Sequence, residues 1–236
     1  MSDASAAINE AAIVERLGLV RERIAAAEVA AGRPAGSARL IAVSKRHPAE
    51  ALRAAYAAGQ RDFGENYVQE LLAKREALAD LPGLRLHLIG NLQSNKAKQV
   101  AARVALVHTV DDEHLARELG RRAAAAEARQ AVLVQVNVAG EAQKHGCAPA
   151  ELEAVLAAVE AEAGLWLRGL MVIPPLSDDA EAARPFFAGL RALRNLHGGP
   201  ARLPELSMGM SHDLEAAVAE GATMVRVGTA IFGERA

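Results

Sequence analysis

A single cysteine, Cys147, stands in 236 residues, which excludes an intrachain disulfide and a cysteine-built metal cage. Aromatic residues are only 3% of the chain, so any core must be filled by Ala, Val, Leu and Ile. No uninterrupted apolar run approaches the roughly 20 residues that span a bilayer. The opening MSDASAAINE has neither the basic nor the apolar stretch of a signal peptide. Neither sign of charge predominates, because 27 Lys+Arg against 29 Asp+Glu leave −2. Nothing global therefore favours nucleic acid or an anionic membrane surface. No linker rich in Pro, Gly or Ser divides the chain. These absences point to a cytoplasmic, globular protein of one domain over 1–236, with no membrane and no nucleic-acid partner.

What is there is hydrophobic (51%) and rich in alanine, 54 residues in all, which favours helices with small packing faces. The length suits one large core, since α/β barrels run to about 200–250 residues. Over residues 8–31, Ile13, Leu17, Val20 and Ile24 recur at helical spacing, and Gly32 and Pro34 end the helix. An alternation then begins. Strand-length runs are RLIAVS (39–44), RDFGE (61–65), RLHLIG (85–90), ALVHTV (105–110), AVLVQVNV (131–138), LRGLMVI (167–173), ELSMGMS (205–211) and MVRVGTAIFG (224–233). Alanine-rich helical stretches lie between them, around 49–58, 66–80, 94–103, 112–128, 149–162, 179–197 and 213–220, with capping residues such as Asp112. Eight strand–helix units predict a closed (β/α)8 TIM barrel with an extra N-terminal helix, a doubly wound open sheet being the other α/β solution.

In such a barrel the chemistry stands at the C-terminal ends of the strands. Lys45 closes the first run; if the strand stays regular, it shares a face with Ile41 and Val43. Desolvation there lowers an amine's pKa and yields the neutral form that attacks a carbonyl; the other reading is a surface lysine past a strand end. Arg226, between Val225 and Val227, points into the barrel and needs an anion or an acceptor. That partner is either a ligand or an internal carboxylate such as Glu65. Gly228-Thr229 and Ser207-Met208-Gly209-Met210-Ser211 end the last two strands, where barrels often hold a phosphate. Gly64-Glu65-Asn66 ends the second strand and offers polar groups to the same mouth. Lys144 lies just beyond the fifth strand with Glu141 three residues before it, either a solvated loop lysine or a second amine at the mouth. His145 and Cys147 lack the partner cluster of a metal site, so no metal is expected.

These segments together resemble one family. Leu40-Ile41-Ala42-Val43-Ser44-Lys45, Phe63-Gly64-Glu65-Asn66-Tyr67-Val68-Gln69-Glu70 and His87-Leu88-Ile89-Gly90-Asn91-Leu92-Gln93-Ser94-Asn95-Lys96 are similar to segments of the pyridoxal phosphate homeostasis protein family. So are Gln135-Val136-Asn137-Val138, Arg168-Gly169-Leu170-Met171, Leu206-Ser207-Met208-Gly209-Met210-Ser211 and Met224-Val225-Arg226-Val227-Gly228-Thr229-Ala230-Ile231-Phe232-Gly233. The resemblance runs in order from about residue 8 to 233. It implies a barrel like the N-terminal domain of alanine racemase, without that enzyme's second domain.

The same resemblance implies that Lys45 carries pyridoxal 5′-phosphate as a Schiff base and that Ser207, Gly228 and Thr229 hold the phosphate. It further implies that Arg226 faces the pyridine nitrogen and that Glu65 and Asn66 line the pocket. The chain departs from the family at Arg46-His47 and at His212. The implied role is intracellular cofactor homeostasis (storage, buffering and delivery to apo-enzymes) by a monomer or weak dimer, with no catalytic residue of its own. An amino-acid racemase is the alternative, and a Schiff-base aldolase of sugar phosphates a third. A racemase needs a base on each face of the substrate carbon, and the second domain that supplies one in alanine racemase is not expected here. Lys144 is expected to help load or unload the cofactor rather than to hold it at rest.

Overall fold

The computed structural model describes residues 9–141 and 143–233. The first helix, α1 (Glu10–Ala30), starts where the Asn9 side chain accepts from the amide of Ala12 at 3.0 Å. Residue 8, the start expected from the sequence, lies outside the described residues. The expected stripe of Ile13, Leu17, Val20 and Ile24 is buried, and Gly32, at φ 64°, turns the chain out of the helix.

The barrel follows: β1 (Arg39–Val43), α2 (Ala49–Ala57), β2 (Asp62–Glu65), α3 (Val68–Ala77), β3 (Arg85–Leu88), α4 (Ala97–Val100), β4 (Leu106–Val110), α5 (Glu113–Ala125), β5 (Gln130–Gln135) and α6 (Leu152–Ala161). It is completed by β6 (Leu165–Met171), α7 (Arg184–Leu196), α8 (Gly199–Arg202), β7 (Glu205–Ser207), α9 (Leu214–Ala219), β8 (Met224–Val227) and α10 (Thr229–Phe232). The strands run parallel in the order β1 to β8, and β8 pairs back onto β1 with Ile41 beside Arg226. This is a (β/α)8 barrel, and α1 packs outside it against α2, α9 and α10.

Strand alternation sorts the side chains into two layers. Outward residues such as Leu40, Phe63, Leu86, Leu88, Val107, Val132, Val134, Leu206, Val225 and Val227 join the helices in the main core. Inward, a small apolar cluster of Ile41, Leu106, Leu133, Met171 and Met224 shares the barrel axis with buried polar residues. Helix ends follow local chemistry: Asp112 caps α5 by accepting from the Leu115 amide at 2.7 Å.

The structure ends several strands before the apolar runs do, the last two most of all. β7 stops at Ser207, because Gly209 takes φ 90° and a Cβ there would lie 2.5 Å from the Cβ of Ala217. β8 stops at Val227, and residues 229–232, read from their apolar character as strand, form a helical turn instead. Short apolar runs do not distinguish a buried strand from a buried helical turn. The four-residue α8 was not expected. Among the described residues, no helix is long and apolar enough to cross a membrane.

Candidate functional site

Lys45 sits at the C-terminal mouth, but not by strand alternation. β1 ends at Val43, and residues 45–46 form a turn in which Arg46 adopts φ 64°. Lys45 is half-buried there, so a turn rather than strand pleat aims its side chain. Both neighbours of Lys45 are pinned. The Ser44 hydroxyl donates to Glu65 Oε1 at 2.6 Å, and the Arg46 amide donates to Glu70 Oε1 at 2.5 Å.

Lys74 joins these two anchors. Its Nζ donates to Glu65 Oε1 at 2.6 Å, to Glu70 Oε1 at 2.7 Å and to the Ser44 carbonyl at 2.7 Å, with only 6% of its side chain exposed. Burial pushes the Glu65 carboxyl up, against the pull of Lys74 and Ser44. The sequence reading missed Lys74, because one lysine in a charged helix reads as solvated. A signal was present: it lies on the helix face of Leu71 and Val68, which are buried.

Arg226 enters the barrel from β8 and is buried. Its Nη1 donates to Ser207 Oγ at 2.7 Å and its Nη2 to the Val172 carbonyl at 2.9 Å. The expected alternative, an ion pair with Glu65, is not what the structure contains: Glu65 belongs to Lys74 and Ser44. Burial pushes the guanidinium down to about 10, with Asp213 opposing, so Arg226 is a cation at neutral pH. Both its protein acceptors are neutral, which leaves a buried positive charge with donors to spare.

The Ser207 hydroxyl, expected at the phosphate, points into the barrel axis, wholly buried between Arg226 and His108 Nδ1 at 2.9 Å, away from the glycine-containing cup at Gly228-Thr229. The hydroxyl beside Thr229 is that of Ser211, with Thr229 Oγ1 and Ser211 Oγ 3.2 Å apart. Gly228 brings this cup against β1, since a Cβ on it would lie 3.1 Å from the Val43 carbonyl oxygen. The amides of Thr229 and Ala230 open α10, where first-turn N–H groups lack intrahelical acceptors. His47 stacks on Phe232 with ring centroids 5.1 Å apart, which ties the Lys45 turn to the cup. The structure thus brings Lys45, Arg226, Gly228 and Thr229 to adjoining ends of β1 and β8.

Asn66 follows β2 at the same mouth. Its Oδ1 is buried without a hydrogen-bond partner, as is Glu65 Oε2, so each leaves an acceptor unused. Lys144 pairs with Glu141 and donates to the Pro174 carbonyl at 3.0 Å. It lines a cavity of about 210 Å³ with Met210 and Asp213, and Asp213 accepts from the Met210 amide at 2.6 Å within the cup's own loop. Cys147 is buried, and desolvation pushes its thiol up to about 12, while His145 is exposed. Among the described residues, no group of three or more His, Cys, Asp or Glu could hold a metal ion.

Fold and site define a class. The profile of the family described as alanine racemase, N-terminal domain, matches residues 16–236. A pyridoxal phosphate homeostasis protein of Pseudomonas aeruginosa is 50% identical over 224 residues, covering 94% of this chain and 96% of that one. The chain belongs to the family of pyridoxal phosphate homeostasis proteins. Among solved structures, a protein from Bifidobacterium adolescentis superposes with a TM-score of 0.89 at 41% identity, over 98% of this chain and 97% of that one. PipY of Synechococcus elongatus, solved with PLP bound, superposes at 0.82 with 44% identity, over 94% of this chain and 100% of that one.

Proposed function

We propose that this protein binds pyridoxal 5′-phosphate at the C-terminal mouth of the barrel and serves the cofactor's storage, buffering and delivery to apo-enzymes in the cytoplasm. The observation that carries this reading is Arg226: a buried cation whose protein acceptors are both neutral, one strand away from the Lys45 turn. A pyridine nitrogen with a free lone pair is the acceptor such a group lacks. The unpartnered Oδ1 of Asn66 and the glycine-lined cup at Gly228-Thr229 also fit the group.

Lys45 would hold the cofactor by a C=N bond between its Nζ and the aldehyde carbon, with loss of water. The amides of Thr229 and Ala230 and the hydroxyls of Thr229 and Ser211 would take the phosphate. Asn66 would bond a polar substituent of the ring, and Arg226 would donate to the ring nitrogen. The bound cofactor supplies an electron-accepting ring and a masked aldehyde. Arginine at the ring nitrogen disfavours ring protonation and so weakens the electron sink a racemase uses.

We expect no amino-acid racemase turnover above the background of free cofactor. A deuterium-exchange assay over a panel of amino acids checks this; saturable, stereospecific α-hydrogen exchange that disappears in Lys45→Ala would establish the racemase reading instead. The absorption spectrum separates the cofactor carrier from a sugar-phosphate aldolase, because only the carrier is yellow as purified.

Lys144 would assist exchange. An amine displaces a Schiff base without passing through the free aldehyde, and Glu141 is placed to take up or return the proton. Lys144→Ala should keep the imine spectrum and slow transfer of cofactor to an apo-enzyme several-fold. Identical transfer rates in variant and parent would make Lys144 a plain structural cation.

A further inference from the structure

A line of buried polar side chains runs down the barrel axis from Arg226. Ser207 Oγ lies 2.7 Å from Arg226 Nη1 and 2.9 Å from His108 Nδ1. His108 Nε2 lies 3.1 Å from His87 Nδ1, and His87 Nε2 lies 2.9 Å from Asp62 Oδ1. At the N-terminal end, Arg85 clasps both Asp62 oxygens at 2.5 and 2.7 Å. Ser207, His108 and His87 are at most 2% exposed.

The two ends fix the direction of every bond between them. Arginine only donates, and an ionised carboxylate only accepts. Asp62 is ionised: burial works against it, but hydrogen bonds from Arg85 and His87 hold its carboxyl well below the usual range. Each intervening group has one donor and one acceptor in its neutral form. A single arrangement therefore satisfies all four bonds. Arg226 donates to Ser207, Ser207 donates to His108 Nδ1, His108 Nε2–H donates to His87 Nδ1, and His87 Nε2–H donates to Asp62. A second proton on either imidazole would turn His108 Nδ1–H onto the Ser207 oxygen and leave the Ser207 hydroxyl proton without an acceptor in the line. Burial pushes both imidazoles down; Arg39 and Arg85 add to it at His87 against the pull of Asp62, and His87, Arg226 and Arg39 add to it at His108.

We propose that Asp62, His87 and His108 are positioning residues that act through Ser207 to fix Arg226 as a hydrogen-bond donor to the ring nitrogen of the bound cofactor. The proposal rests on the cofactor reading given above and deepens it. Because the hydroxyl proton of Ser207 is committed to His108, its lone pairs always face Arg226. The guanidinium plane is then set by Ser207 and Val172, and its remaining N–H groups are directed to the mouth. The ring nitrogen meets only donors and stays unprotonated.

Two measurements test this. In the cofactor-free protein at neutral pH, nitrogen-15 NMR of the histidine side chains should show His87 and His108 as neutral Nε2–H tautomers. An Nδ1–H tautomer or an imidazolium at either position overturns the relay. In the loaded protein, His108→Leu breaks the line, whereas His108→Gln restores it, since a carboxamide both accepts from Ser207 and donates to His87. His108→Leu should release cofactor about tenfold faster and shift its visible band, while His108→Gln should stay near the parent in both. Parent-like release and band position in His108→Leu would refute the relay while leaving the site reading intact. Failure of the parent itself to form a borohydride-trappable adduct would refute the site reading. Should His108→Leu fail to fold, the NMR tautomers of the parent still decide.

Discussion

Lys45→Ala is expected to abolish the visible absorption of the lysine imine and to leave no cofactor adduct after borohydride reduction. The loss should be complete, because the other amine beside this end of β1, that of Lys74, is buried and held by Ser44, Glu65 and Glu70. The barrel should survive. Lys45 is half-buried in a turn, so truncating it opens no core cavity, and the cofactor-free variant should lie within about 1 kcal/mol of the parent. Spectra and denaturant melts of the two proteins check both halves. A trapped adduct that persists at parental yield would move the attachment point elsewhere, Lys144 first.

The second large effect concerns the buried lysine beneath the Lys45 turn. Lys74→Ala should destabilise the protein by about 3–5 kcal/mol, because it leaves the fully buried Glu65 without its cation. For a chain of this size that is a fall of roughly 10 °C in Tm. The pH dependence follows from the raised carboxyl of Glu65. A group whose folded pKa lies above its unfolded value binds more protons in the native state, so its stability contribution is present at low pH and is lost as pH rises. Removing Lys74 strengthens that shift. The deficit should be largest near neutrality and shrink as pH falls into the range where Glu65 protonates. Glu65→Gln placed on top of Lys74→Ala should recover much of the loss, which a melt of the double variant checks. If Lys74→Ala melts with the parent at all pH values, Glu65 is not held as described.

The barrel was legible because its physics is repetitive. Eight runs such as LIAV and LVQV alternate with alanine-rich helices, and that rhythm alone calls for parallel strands. The position of Lys45, Arg226 and Gly228 at the C-terminal mouth was legible because polar or glycine residues at apolar strand ends are conspicuous. Strand endings were not. Whether residues 229–232 continue as strand or turn into helix depends on the tertiary contact of Gly228 with Val43, which no local pattern encodes. The direction of the Ser207 side chain was hidden for a related reason. Its role depends on which of two serines, four residues apart, faces the axis, and β7 ends between them.

The axial relay was hidden differently. His87 and His108 each sit one step from outward leucines and valines, and period-two counting puts them inside with Asp62, Ser207 and Arg226. The signal was present, but it joins five separate strands. Only the closed barrel brings them into line.

The closure of the sheet has a further consequence if, as proposed, the protein alternates between loaded and empty forms. Every strand has a hydrogen-bonded neighbour on both sides, so neither form presents a bare strand edge that could recruit another chain. At the proposed site the cofactor would be gripped by strand ends and turns, not by a seam between domains that must open. Emptying the site therefore leaves the backbone circuit whole, and the unloaded protein should be able to wait in a crowded cell without becoming a seed for aggregation.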